Sequence, residues 1–406
     1  MVRWTLGEKV SQLRKVAKAK AQRLWPVPRH AQELNEVRTL ADSSNRSTNT
    51  TNSGKSNSSS SPEAANAPVH VPVMLQEILE QAQAVREDLQ RPLQWAFDGT
   101  FGRGGHARAI LERHTDLRLI ACDLDPAAHA SAETNFAKEI RERRLVLHSS
   151  NFANLPNLVE LARNEFAEKF TGFDFMMVDL GVSSPQLDEA ERGFSFYQDG
   201  PLDMRMDPQA ARRTAADLVN ELSEEELVEL FSELGEVQRP YKVARAIVHE
   251  RKSRRIERTL QLAQLIERVD GWHKKGHHPA TLYFMGLRLA VNGELKAIED
   301  FLPEAIASLS PKGRLAVISF HSLEDRIVKQ CFRKLEDAEE ACGENVRRKA
   351  TVPSDLEQKQ NPRSRSAKLR CFRRFAAGER RSRGNKYAHL APQRSRDDQD
   401  DRGDEE

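Results

Sequence analysis

The chain has 406 residues, 38% of them apolar, enough for two or three domains with sizeable cores. Its 63 lysines and arginines face 61 acidic residues, a formal net charge of +2, so any nucleic-acid footprint has to come from local clustering. No apolar run approaches the roughly 18 residues of a membrane helix, and no signal-peptide core or regular cysteine pattern occurs, so a cytoplasmic, reducing environment is expected.

In chain order, residues 1–42 form a basic extension in which Val10, Leu13, Val16 and Ala17 fall on one face of a helix. A solvated tail, an RNA-holding arm and an organelle transit peptide all fit such a segment; Glu8, Glu33 and Glu36 argue against the last, and the tail is preferred. Residues 43–68, "SSNRSTNTTNSGKSNSSSSPEAANAP", offer almost nothing to bury and read as a disordered Ser/Asn-rich linker. The folded body therefore begins near Val69.

From there apolar strands alternate with amphipathic helices. The strands expected are "LQWAFD" (93–98), "LRLIACD" (117–123), "RLVLHS" (144–149), "FDFMMVD" (173–179) and "RLAVISF" (314–320), with helices near 105–113, 126–139 and 153–168. That rhythm implies an α/β fold, a Rossmann-like parallel sheet covered on both faces. Between Asp179 and Arg314 it gives way to helices such as "SEEELVELFSELG" (223–235) and "YKVARAIVHERKSRRIE" (241–257), too long a stretch for a crossover. The organisation expected is a sheet domain in two parts, 69–190 and 286–378, interrupted by an inserted helical domain at 191–285 and followed by a charged disordered tail at 379–406. A cleft between sheet and insert is where a ligand would sit.

The first strand runs into "FDGTFGRGGH" (97–106), whose glycines at 99, 102, 104 and 105 fit neither the dinucleotide nor the phosphate-loop spacing. Asp98 at the mouth of this loop repels a pyrophosphate and attracts a ligand bearing ammonium and sulfonium groups, as S-adenosylmethionine does. The second strand ends in "ACDLDP", where Asp123 is placed to accept hydrogen bonds from a ribose and Asp125 to cap the helix that Pro126 opens.

Six stretches, "HVPVMLQE", "DGTFGRGGHARAIL", "DLGVSSPQLDEAERGFSFYQDGPLDMRMD", "HPAT", "ISFHSLEDRIVK" and "NPRSRSAKLR", carry a resemblance across approximately residues 70 to 375. Through them the chain resembles the bacterial 16S ribosomal RNA cytosine-N4 methyltransferases, known as RsmH or MraW. The resemblance implies a class I methyltransferase sheet, S-adenosylmethionine as methyl donor, and 16S rRNA or the small ribosomal subunit, through a decoding-region cytidine, as acceptor. It places cofactor contacts on Gly104, Gly105, His106, Asp123, Phe152, Asp179 and Gln186, beside Asp98. Phe152 suits adenine packing and core packing equally, and His106 suits a helix start as well as a ligand.

Methylation of an exocyclic amine needs no cysteine nucleophile, only acceptors that grip the N–H bonds and take the released proton. Asp179 and Ser184 of "DLGVSSPQ" and His321 of "SFHSLEDR" are the catalytic candidates. Ser184 before Pro185 is equally a helix cap, and Ser322 with Asp325 reads as a capping-box-like start beside His321. Phe194, Phe196 and Tyr197 are candidates for stacking an extruded base. Arg245 and Arg251 head a basic helix face suited to RNA phosphates, and residues 361–375, "NPRSRSAKLRCFRRF", add a second basic stretch. The run "HKKGHH" (273–278) has no carboxylate or cysteine beside it, so no metal site is expected. Leu282 and Met285 stand where the family usually has arginine and glutamine, which leaves a non-catalytic, RNA-binding assembly factor as the alternative. A homodimer is compatible with all of this.

Overall fold

The computed structural model describes residues 71–166, 170–271 and 278–379. The basic extension, the Ser/Asn-rich linker, residues 273–277 of the histidine-lysine run and the tail beyond Glu379 lie outside the described residues.

Helix α1 (Leu75–Leu89) leads into β1 (Trp95–Asp98), α2 (Gly105–Arg113), β2 (Arg118–Asp123), α3 (Pro126–Asn135), a short α4 (Ala137–Arg141), β3 (Leu145–Ser149), α5 (Leu155–Phe166) and β4 (Phe173–Asp179). Along β4 the side chains alternate between two cores, Phe175 and Met177 on one face, Phe173, Met176 and Val178 on the other. A strand buried on both faces is apolar on both, which is why "FDFMMVD" carries no polar alternation; its one internal charge, Asp174, is paired with Arg91 at 2.8 Å. The helices start where their caps dictate: Asp125 accepts the Ala127 amide at 3.0 Å with Pro126 opening α3.

After β4 come α6 (Ser184–Asp188), α7 (Ala215–Glu221), α8 (Glu224–Glu233), α9 (Tyr241–Glu250), α10 (Thr259–Asp270) and α11 (Ala280–Asn292). Reciprocal caps fix three of these starts, Ser183 with Gln186 for α6, Thr214 with Asp217 for α7 and Ser223 with Glu226 for α8. Their apolar faces close a separate core that draws on residues from Phe194 to Val291, so it continues past Met285. Gly293, in the left-handed region at φ +64, ends α11 and opens α12 (Glu294–Ser308) with no intervening loop. Across that single residue the chain passes from the helical core back to the sheet, because Ile298, Phe301, Leu302, Ala305 and Ile306 of α12 pack on the sheet face.

The chain then forms β5 (Leu309–Ser319), α13 (Ser322–Glu336), β6 (Gly343–Asn345), α14 (Asp355–Gln360) and β7 (Lys368–Arg374). The seven strands lie in the order β3-β2-β1-β4-β5-β7-β6. The first five are parallel and β7 runs antiparallel to both β5 and β6. The α/β sheet with its helical insertion is the fold expected. Two details differ. β5 starts five residues before Arg314, because a register irregularity opposite Phe173 and Phe175 lets Leu309 join the ladder early. Residues 368–374 form an interior strand of the sheet, between β5 and β6, and not a basic arm. Leu369, Cys371 and Phe372 are buried, Arg370 pairs with Asp325, Arg373 with Glu344 and Glu379, and Arg374 donates to the carbonyls of Ala307 and Leu309. The arginines concealed the strand.

Phe372 is fully buried, with its ring 5.2 Å from that of Phe332. Phe372→Ala is expected to lower the unfolding free energy by about 3–5 kcal/mol in urea titrations, whereas Arg365→Ala on the exposed turn before β7 changes it by less than about 0.5 kcal/mol.

Candidate active site at the carboxyl edge of the sheet

Parallel strands bring their C-terminal ends to one edge, so Asp98, Asp123 and Asp179 arrive there together at the ends of β1, β2 and β4. The loop after β1 is held by its own backbone. Gly99 N–H donates to the Met177 carbonyl at 3.0 Å, Phe101 N–H to the Cys122 carbonyl at 3.2 Å, and Gly102 N–H to Asp123 Oδ2 at 2.7 Å. Thr100, which the sequence reading passed over, ties two strand ends: its N–H donates to Asp98 Oδ1 at 3.1 Å while its hydroxyl accepts the Asp179 N–H at 2.7 Å.

The four loop glycines serve different ends. A Cβ at Gly104 would lie 2.5 Å from the Phe136 ring, and one at Gly105 would lie 2.4 Å from Pro72. Those two positions are bare because protein packs against them. Gly102, at φ +54, has nothing within 4 Å and is the position whose backbone is open. His106 is buried with Nε2 3.0 Å from the Val73 carbonyl, anchoring the segment before α1.

The carboxylates are strongly perturbed. Asp98 is 1% exposed, and burial, opposed by the Thr100 amide and reinforced by Asp123, pushes its carboxyl up to about 7. Burial, then the charges of Asp98 and Glu324, pushes Asp179 well above the ordinary carboxylate range. Burial also raises Asp123, although the Asp125 and Gly102 amides counter it. Asp98 Oδ2 and Asp179 Oδ1 are buried without a hydrogen-bond partner. Two orphaned acceptors side by side are what a cationic or N–H-bearing ligand would satisfy.

His321 is the N-cap of α13, with Nδ1 accepting the Glu324 amide at 3.5 Å and Nε2 3.0 Å from Glu324 Oε1. The expected Ser322 and Asp325 cap is therefore replaced by His321 and Glu324. Ser322 instead meets Glu236 of the helical unit, and Asp325 holds Arg370 at 2.6 Å. Burial pushes Glu324 up, yet the His321 ring, Arg288 and the Phe320 amide together hold it below its ordinary value. Arg288 of α11 reaches across to it, with Nη2 3.9 Å from Glu324 Oε1 and Nε 2.9 Å from Glu294 Oε1. Neither Glu324 nor Arg288 was singled out from sequence. Their spacing resembles any surface ion pair, and only the fold buries them.

Other candidates are engaged structurally. Ser183, not Ser184, is the N-cap of α6: its N–H donates to Gln186 Oε1 at 2.9 Å, leaving Ser184 and Pro185 in the first turn. Gln186 is buried and donates to Asp125 Oδ2 at 2.7 Å, where Arg192 also binds at 2.7 Å. Phe152 is half-buried, edge-on to Phe301 at 5.2 Å. Phe194 and Phe196 are buried in the helical core, whereas Tyr197 beside them is 83% exposed. Arg245 pairs with Glu224 at 3.2 Å, and Arg251 donates to the Val219 carbonyl at 2.8 Å, closing the end of α7.

The Asp98 carboxyl sits near 7 in the folded chain against an ordinary 3.8, so between those values the folded state binds more protons than the unfolded one. Stability of the ligand-free protein is expected to fall as pH rises across that window, by at most about 1.4 kcal/mol per pH unit from this group. Asp179 contributes with the same sign, so chemical denaturation of Asp98→Asn between pH 4 and 7 should show a shallower but nonzero decline.

The MraW methylase family model matches residues 67–375. Ribosomal RNA small subunit methyltransferase H of Bdellovibrio bacteriovorus is 50% identical over 314 residues, covering 77% of this chain and 90% of that protein. The protein of the same name from Synechococcus elongatus is 43% identical over 311 residues, covering 75% of this chain and 94% of that one. Among solved structures, TrmN from Thermus thermophilus aligns at 12% identity and a TM-score of 0.32, over 72% of this chain and 48% of its own. The chain belongs to the MraW methylase family.

Proposed function

We propose that the chain transfers a methyl group from S-adenosylmethionine to the N4 amine of a cytidine in 16S ribosomal RNA. The observation that supports this most is the pair of orphaned, buried acceptors, Asp98 Oδ2 and Asp179 Oδ1, beside the open backbone of Gly102. The relatives' name, Ribosomal RNA small subunit methyltransferase H, supports the class of RNA.

When bound, S-adenosylmethionine supplies a methyl group activated by its sulfonium. Asp98 provides the negative charge that such a cation needs, and Asp123 keeps lone pairs for hydroxyls while it braces the loop through the Gly102 amide. Asp179 faces the same edge and is the acceptor proposed for the cytosine N–H, steering the nitrogen lone pair toward the donor. His321, whose Nε2 is held by Glu324, takes on Nδ1, which gives up its 3.5 Å contact with the Glu324 amide, the proton released once the new N–C bond forms, and Ser184 is the further polar group proposed for the base. Amine and ring-carbon methylation are separable here. A carbon-5 reaction needs a reactive thiolate, but burial pushes Cys122 well above the ordinary thiol value and Cys331 and Cys371 to about 12. Among the described residues no helix is long and apolar enough to cross a membrane, in keeping with a cytoplasmic site of action.

Incubated with methyl-labelled donor and small subunits lacking the modification, the protein should yield N4-methylcytidine on nucleoside mass spectrometry. Label at carbon 5, or none at all, overturns the reading. Asp179→Asn should lower kcat by about 100-fold or more. Calorimetry should show S-adenosylmethionine affinity rising as pH approaches 7, by up to about tenfold per unit, because the cation selects ionised Asp98; Asp98→Asn should weaken binding and flatten that component.

A further inference from the structure

The cations near the C-terminus separate into two groups. Those of β7 are held by carboxylates and carbonyls within the sheet. Those of α13 are not. Arg326, Lys329 and Arg333, at i, i+3 and i+7, follow one side of this helix, and all three are exposed. Arg326 pairs with Glu236 at 3.0 Å, but Lys329 and Arg333 have no carboxylate within ion-pair distance among the described residues. The row begins just after His321 and extends about 10 Å along the helix axis, at 1.5 Å per residue.

Beside the row lies a cavity of about 410 Å³ lined by Lys329, Arg333, Arg348 and Arg370, with Glu336 and Asp337 as its acids. Its wall is built, not incidental. Arg370 is 9% exposed, fixed by Asp325, and its Nη1 donates to the Arg348 carbonyl at 3.5 Å, pinning the loop that carries Arg348. Asn345 donates to Glu336 at 2.8 Å, which draws that carboxylate toward the β6 strand.

The structure assigns this row and cavity as a track for the sugar-phosphate backbone of the RNA strand flanking the target base, a role that rests on the RNA-methylating reading above. Three features select that occupant. The cations leave from the helix whose first residue is next to the proton acceptor, so a strand gripped here is anchored where its base reaches the sheet edge. Guanidinium forks match phosphate oxygens in pairs. The row is also longer than a single anion and suits consecutive phosphates, so an isolated inorganic phosphate would fill only one part of it. Apart from Arg370, which belongs to the stretch at 361–375, this track lies outside both basic stretches that the sequence had suggested, at 239–258 and 361–375.

The test uses the full-length protein carrying Lys329→Glu, Arg333→Glu and Arg348→Glu together, with Arg370 left intact because it holds Asp325. Binding of a labelled 16S rRNA fragment, followed by anisotropy across a salt series, is expected to weaken at least tenfold. The slope of log affinity against log salt should shrink by about two units, at about 0.7–0.9 per lost contact. KM for the small subunit should rise while kcat at saturation and S-adenosylmethionine affinity hold. A Gln triple variant, which removes charge without reversing it, should give the same trend in smaller measure. Unchanged slope and KM in both variants overturns the track and leaves the reaction standing; a wild-type protein that methylates no RNA overturns both.

Discussion

The arrangement depends on one costly juxtaposition: Asp98 and Asp179, at the ends of adjacent parallel strands, each with one carboxylate oxygen buried and short of a hydrogen-bond partner. Like charges so placed repel, and burial deprives each of solvent, so neither ionises easily. The fold tolerates them because Thr100 bridges the two strand ends and the loop glycines let backbone amides reach Asp98 and Asp123. A binding site for a positive, N–H-rich ligand follows from that frustration. The same groups that weaken the empty protein are those that a cation or an amine relieves.

A second electrostatic layer supports the first. Arg288, Glu294 and Glu324 form a chain of buried charge running from the helical unit to the start of α13, where the His321 ring meets Glu324. Here attraction predominates, and Glu324 is held below its ordinary value close to where burial pushes Asp179 above its own. One edge of the sheet thus presents acids held in opposite protonation tendencies, the separation that acid-base chemistry near neutrality needs.

Much of this was legible in the sequence. β4 was readable to the residue because a strand buried on both faces is apolar on both, with Asp174 as its one internal charge, and Asp125 was readable as a cap because Pro126 follows it. Three things were not. β7 was missed because Arg370, Arg373 and Arg374 look like a phosphate-binding surface until Asp325, Glu344 and two carbonyls are seen to receive them. Gly104 and Gly105 looked like ligand-facing positions, yet Phe136 and Pro72 occupy the space where their side chains would stand, while Gly102 faces outward. Phe194 and Phe196 sit in one of the stretches that carry the family resemblance, but only three-dimensional packing distinguishes their buried rings from the exposed one of Tyr197. In each case the identity of the residue was informative and its neighbour was not yet known.

Arg288 grows from a helix of the second core, yet both carboxylates it neutralises belong to the sheet side of the molecule. The insertion is therefore not a removable accessory. Excising it would strand Glu294 and Glu324 as bare negative charges in the interior, so a trimmed chain could not keep α13 in register without new counter-ions. The helical unit and the sheet edge are joined by one guanidinium, and any change in the packing of the former has to be accommodated by the latter.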